Sequence, residues 1–180
     1  EVPLFGGVPQ LLADLKRKSI EPIALAAGVP VRTLQEFLSQ LVWDHDRCNA
    51  ALQRQVMDVH ACDGAIGVID GSGHAKRGDK TPGVQRQWCG RLGKLENCQV
   101  GVYLAYVTRR EHALTDVRLY LPKEWSKDKG RRKEAGVPEE VRFATRHELA
   151  LSMLDEHGGS LPHRWVAGDD EMGRSSWFRQ

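Results

Sequence analysis

Ala65-Ile66-Gly67-Val68-Ile69-Asp70-Gly71-Ser72-Gly73 decides the reading of this chain. A short apolar run, Ala65 to Ile69, has the length and branching of a buried strand, and it ends in a carboxylate beside two small glycines. Glycine brings no side chain to crowd the acid. The glycines and prolines that follow (Gly71, Gly73, Gly78, Pro82, Gly83) predict a loop. A second such arrangement lies near the other end of the chain. Trp165-Val166-Ala167-Gly168 predicts a short strand, and Asp169, Asp170 and Glu171 follow it.

Between these two runs, Gln99 to Thr108 and Asp116 to Leu121 predict two further strands, the second stopped by Pro122. Pro122 to Pro138 is polar, charged and rich in turn residues, and predicts an insertion or long surface loop. Thr145 with Glu148 has the spacing of a capping box, opening a helix that carries Leu149, Ala150, Met153 and Leu154 and stops at Gly158-Gly159.

The first sixty residues predict helices. Leu11, Leu12 and Leu15 share a face, and Leu34, Phe37, Leu38 and Leu41 repeat at i, i+3, i+4 and i+7. Gly28 and Pro30 break the chain between two helices, and the alanines of Ile23-Ala24-Leu25-Ala26-Ala27 allow close approach, so a helix-turn-helix is expected. A third helix is expected over about Asp44 to His60. The fold class is therefore α/β. A helical region over 1–62 is followed by a mixed sheet with flanking helices over 63–180.

With 180 residues and 41% hydrophobic content, the chain can bury a core. No apolar run nears the roughly 18–20 residues of a membrane helix, and no signal peptide is visible. The chain starts without Met and stops in mid-element, so a fragment is expected. Cys48, Cys62, Cys89 and Cys98 lack a CxxC spacing, and reduced, partly buried thiols are expected.

Net charge is only +2 but unevenly placed. His74 to Lys94 holds six basic residues against one acid, and Lys123 to Lys133 holds six against two. Such islands suit a polyanion, although for any one island taken alone a solvated loop is the favoured reading. The first sixty residues hold six basic and seven acidic residues, a balance of −1, which is not a basic DNA-binding domain. Arg32, Thr33 and Gln35 begin the second helix of the turn motif, where side chains can reach base edges; a plain helical hairpin fits as well.

Asp70 and Asp169 on adjacent strands would repel unless a divalent cation lay between them. Oxygen ligands without a His or Cys cluster favour Mg²⁺ or Mn²⁺ over zinc. Two ions about 3.5–4 Å apart serve phosphodiester chemistry. An aspartate at a strand end is also a common turn former or cap.

Three groups of residues carry a family resemblance. They are Val84-Gln85-Arg86-Gln87-Trp88-Cys89-Gly90 with Leu92-Gly93-Lys94 and Asn97-Cys98-Gln99-Val100; Leu119-Tyr120-Leu121-Pro122-Lys123-Glu124-Trp125 with Arg131-Arg132 and Ala135-Gly136-Val137-Pro138-Glu139-Glu140-Val141; and Ile20-Glu21-Pro22-Ile23-Ala24 with Gly28-Val29-Pro30 and Arg32-Thr33-Leu34-Gln35. From about Leu11 onward the chain resembles bacterial insertion-sequence transposases of the DDE superfamily, named for an Asp-Asp-Glu triad on a ribonuclease-H-like fold. The resemblance implies that Asp70 is the first triad acid and Asp169 the second, with Asp170 as the alternative. The third acid is expected beyond Gln180, since Glu148 reads as a cap and Glu171 is too close to Asp169.

The implied activity is metal-dependent cleavage of transposon ends and strand transfer, with two Mg²⁺ or Mn²⁺ ions. Double-stranded DNA (terminal inverted repeats and target) is the implied partner, bound by a homo-oligomer in the bacterial cytoplasm at the nucleoid. Lys76, Arg77, Lys80 and Arg86 are candidate phosphate contacts. Alternatives are a non-catalytic DNA-binding remnant and a ribonuclease-H-like nuclease without strand transfer. Trp88 and Trp165 are expected to pack rather than stack on bases, and His74 is read as a loop residue without a role.

Overall fold

A computed structural model describes residues 14–17, 19–42 and 44–178. The face expected of Leu11 and Leu12 lies outside them. The chain forms two compact units, 1–45 and 46–180.

In the first unit, α1 (Ile20–Ala26) and α2 (Val31–Ser39) are joined by a tight turn. Gly28 takes a φ of 67°, a left-handed conformation that costs other residues a steric clash, and Val29 N–H donates to Ala24 C=O at 3.0 Å. The expected helix-turn-helix order is present, with Arg32, Thr33 and Gln35 exposed on α2.

The second unit opens with α3 (His45–His60). The sequence reading assigned this helix to the N-terminal region ending at 62. The compact units part between His45 and Asp46, and α3 is tied to the sheet. Gln53, buried, donates to Thr115 C=O at 2.9 Å, and Asn49 donates to Asp116 Oδ1 at 3.0 Å. A glutamine is hard to assign to a core from sequence, since burial is tolerable only once its amide is bonded.

The sheet comprises β1 (Ile66–Ala75), β2 (Gln85–Cys89), β3 (Lys94–Val107), β4 (His112–Tyr120) and β5 (Trp165–Gly168). Residues 100–107 of β3 pair with both β1 and β4, antiparallel, so these strands lie on opposite edges of β3. β5 runs parallel to β1 on its far side, and β2 pairs with the start of β3. The mixed sheet with flanking helices is consistent with a ribonuclease-H-like fold.

Two short helices, α4 (Lys123–Lys127) and α5 (Lys129–Glu134), occupy the segment expected to be an insertion or loop. Trp125 anchors them: it is fully buried, its indole N–H donates to Val84 C=O at 2.7 Å, and the Arg131 guanidinium lies 3.8 Å above its ring. Next come α6 (Arg146–His157), with the expected Thr145–Glu148 capping box, and α7 (Asp170–Gly173).

One sheet face is packed. Ile69, Val102, Leu104 and Tyr106 project onto it against Val56 of α3 and Ala150 and Met153 of α6. Burying each large side chain there contributes about 1.5–3 kcal/mol. Strand alternation sends Asp70, Tyr103 and Val117 to the other face, where Leu114 is 60% exposed and Val117 50%. The fold therefore covers one side with helices and leaves the Asp70 side open among the described residues. No described helix is long and apolar enough to cross a membrane.

Candidate active site

The loop expected after Asp70 is strand instead. β1 continues through Gly71, Ser72 and Gly73 to Ala75, paired throughout with β3, so Asp70 sits within the strand and not at its end. The glycines that suggested a loop serve close approach. A Cβ on Gly73 would lie 2.9 Å from Cys89 Sγ and 3.2 Å from its Cα, too near for any side chain.

What does end at Asp70 is the partnership with β5. The last parallel pair is Ile69 with Gly168, and the next residues on the two strands are Asp70 and Asp169. Neighbouring strands run about 4.8 Å apart, so the two acids leave adjacent strands at the same level, where the pairing ends. Asp70 accepts from the Gly71 amide at 2.7 Å through Oδ1. Asp169, still extended at φ −73° and ψ −175°, caps α7 by accepting from Met172 N–H at 3.1 Å. Gly168 permits this sharp exit, since a Cβ there would meet that of Met172 at 2.9 Å.

The three successive acids after β5 go separate ways. Asp170 pairs with Arg174 at 2.6 Å, Glu171 pairs with Arg146 at 2.8 Å across to α6, and Asp169 alone occupies the position beside Asp70. For Asp70 and Asp169, Oδ1 is engaged by a backbone amide and Oδ2 has no partner among the described residues. Hard carboxylate oxygens so disposed fit Mg²⁺ or Mn²⁺. No group of three or more His, Cys, Asp or Glu side chains able to hold a metal occurs among the described residues.

The basic residues divide into two kinds. Arg131 donates to Asp79 C=O at 2.7 Å and Val84 C=O at 3.1 Å, and Arg132 to Pro138 C=O and Val141 C=O, both at 2.7 Å. These guanidinium groups hold backbone. Lys80 pairs with Glu134, which raises its pKa, and Lys94 pairs with Glu96, whose carboxyl is held low by that ammonium and by the Asn97 amide. Lys76 and Arg77 are exposed beyond β1 without an ion pair among the described residues, and Arg86 is exposed on β2. Arg32 pairs with Glu36 at 2.7 Å on α2, in the other compact unit.

Trp88 and Trp165 are 55% and 63% exposed, which corrects the expectation that both pack. His74 is likewise misplaced as a loop residue. It lies on β1, on the face of Asp70, with Nε2 3.1 Å from the Tyr103 hydroxyl. The even spacing of Asp70, Ser72 and His74 was the available signal.

Residues 8–180 match the family described as DDE superfamily endonuclease. A 92-residue stretch is 35% identical to the "Probable transposase for insertion sequence element IS701" of Microchaete diplosiphon, covering 51% of this chain and 24% of that protein. No solved structure matches the chain. With the family matched over nearly the whole length, the chain belongs to the DDE superfamily endonucleases.

Proposed function

We propose that this chain is part of a DNA transposase that cuts transposon ends and joins them to target DNA, with Asp70 and Asp169 as metal-holding catalytic carboxylates. One observation carries the reading: the two acids directly follow the last pair of adjacent parallel strands, Ile69 with Gly168, on an open side of the sheet. Family membership and the name of the IS701 relative support the reaction class.

Asp70 and Asp169 are the residues that would hold Mg²⁺ or Mn²⁺. Bound there, such ions would supply activation of a water or 3′-hydroxyl and charge stabilisation of the leaving oxygen. The protein's own part is to fix the ligands. β1 is paired on both edges up to Ile69, and the Gly71 and Met172 amides hold one oxygen of each acid. Lys76, Arg77 and Arg86 supply exposed cations for backbone phosphates. Lys80 joins them only when DNA competes with Glu134. Arg32, Thr33 and Gln35 on α2 are proposed to read terminal-repeat base edges. Acting on two ends calls for a homo-oligomer on DNA, in the cytoplasm at the nucleoid.

The test is cleavage of a transposon-end duplex by the full-length protein with Mg²⁺. Asp70→Ala and Asp169→Ala should each abolish cutting while DNA binding survives. Normal cutting by either variant removes that residue from the site. Cutting without a joined product identifies a simple nuclease, and binding without cutting a DNA-binding remnant.

A further inference from the structure

The face of β1 that carries Asp70 continues as a polar strip. Alternation places Ser72, His74 and Lys76 on the same side, and Lys76 N–H donates to Asn97 C=O at 2.9 Å, extending the ladder one step past Ala75. Alternate residues lie roughly 6.6 Å apart, which sets His74 about 13 Å from Asp70. At about 3.4 Å of rise per nucleotide, that is the span of a few nucleotides.

The residues opposite this strip are Tyr103, Gly101, Gln99 and Asn97, none of them acidic. Gln99 and Asn97 spend their side-chain amides on backbone carbonyls of Pro82, Lys76 and Gly78. His74 is exposed, yet it is not loose. Tyr103 starts opposite Asp70, and its ring lies along the sheet over Gly101 to bring the hydroxyl 3.1 Å from His74 Nε2. Only glycine permits that path: a Cβ at 101 would stand 2.9 Å from Tyr103 Cε2 and 3.1 Å from its hydroxyl oxygen. An exposed imidazole held by a hydroxyl, on a line between a carboxylate and a lysine, is oriented toward solvent-borne ligands rather than toward the core.

We propose that His74, steadied by Tyr103, is a positioning residue that contacts a backbone phosphate of the DNA strand lying along β1 toward Asp70, with Lys76 taking the next phosphate. This rests on the transposase reading above. Both ring nitrogens can serve: Nε2 meets the tyrosine hydroxyl, and Nδ1–H is left to donate to a phosphate oxygen. Gly101 belongs to the device as the residue that clears the tyrosine's path.

The test uses the full-length protein and a transposon-end duplex without divalent metal, so that binding is read apart from cleavage. His74→Phe should weaken binding about ten-fold or more, the scale of one hydrogen bond to a charged group, and Tyr103→Phe about five-fold, the scale of an ordinary one. His74→Asn, which keeps a donor, should recover part of that loss. Gly101→Ala should reproduce the Tyr103→Phe effect. In the wild-type protein, the imidazole ¹⁵N resonances of His74 should shift on DNA addition. Unchanged affinity in the folded His74→Phe variant, or imidazole signals indifferent to saturating DNA, overturns the proposal. The two readings fail separately. DNA binding that needs His74 with no metal-dependent cutting sinks the catalytic reading alone, and metal-dependent cutting with full binding in His74→Phe sinks this one alone.

Discussion

The Met172 amide donates to Asp169 Oδ1 at 3.1 Å, so the acid that ends β5 also begins α7. One side chain therefore has a structural duty and, in the proposed function, a catalytic one, and two substitutions separate them. Asparagine caps a helix about as well as aspartate, whereas alanine forfeits about 1 kcal/mol. Asp169→Asn should unfold in urea within about 0.5 kcal/mol of wild type and yet lose metal-dependent cleavage. Asp169→Ala should lose both. An Asp169→Asn protein that cuts DNA normally would show that the residue is only a cap.

The neighbouring acid gives the contrasting case. Asp170 points to Arg174 on the helix surface, and both partners are more than three-quarters exposed. Exposed pairs of this kind contribute roughly 0–1 kcal/mol. Asp170→Asn should keep its melting temperature and its cleavage rate within about two-fold of wild type. A loss of cutting equal to that of Asp169→Asn would exchange the two assignments.

Asp116 should be the most sensitive polar position outside the site. Its side chain, 3% exposed on β4, accepts from Asn49 at 3.0 Å, from the Val117 amide at 2.7 Å and from Arg118 at 3.1 Å. Oδ2 lies 3.0 Å from His157 Nε2 without hydrogen-bond alignment, so that contact is one of proximity. Asp116→Ala leaves the Arg118 guanidinium and the Asn49 and Val117 amides without their shared acceptor, at a cost of about 3–5 kcal/mol. Asp116→Asn should cost less, since its carbonyl still accepts. Urea denaturation measures both, and a loss below about 1 kcal/mol for alanine would show that the network is incidental.

The strand-forming runs and the capping box were legible because each rests on a local pattern: branched residues in sequence, or a threonine spaced from a glutamate. The extent of β1 was not. Gly71 and Gly73 look like loop in one dimension, and only Cys89 pressing on Gly73 explains why glycine is required inside a strand. The helices α4 and α5 were hidden in a charged stretch because their anchor is a single buried tryptophan and not a periodic apolar face. Asp70 and Asp169 could be named from the sequence, but that they follow a shared pair, Ile69 with Gly168, is a property of register, which no residue states alone. What the cations of the second island do was not legible either: Arg131 and Arg132 bond backbone carbonyls, which no residue type marks in the sequence.

The thiols should divide by exposure. Cys48 and Cys62 are exposed, while Cys89 and Cys98 are buried. Burial raises the Cys98 thiol above its ordinary pKa, and the neighbouring Cys89 pushes it further. Since the thiolate is the reactive form, an aromatic disulfide reagent at pH 8 should modify two thiols quickly in the native protein. The other two should react only on unfolding. Four equal rates under native conditions would contradict the packing of β2 against β3.

The capping box of α6 makes a pH-dependent contribution with a definite sign. The Thr145 amide donates to Glu148 at 2.6 Å, and the Glu148 amide donates to the Thr145 hydroxyl at 3.2 Å. The carboxyl is held below its ordinary value, first by the Thr145 amide and then by its side chain. A group whose pKa falls on folding stabilises the fold above its unfolded pKa, and that contribution disappears as pH drops through the lowered value. Thr145→Ala should cost about 1 kcal/mol, and part of that loss should fade on acidification, because the hydroxyl also helps to hold the Glu148 carboxyl low. Glu148→Gln keeps an oxygen acceptor but no charge. Its melting temperature should fall short of wild type at pH 6, and the gap should close as pH drops well below 4.5, the ordinary value for this group. A gap that stays constant or widens on acidification would mean that the carboxylate form is not what the helix start prefers.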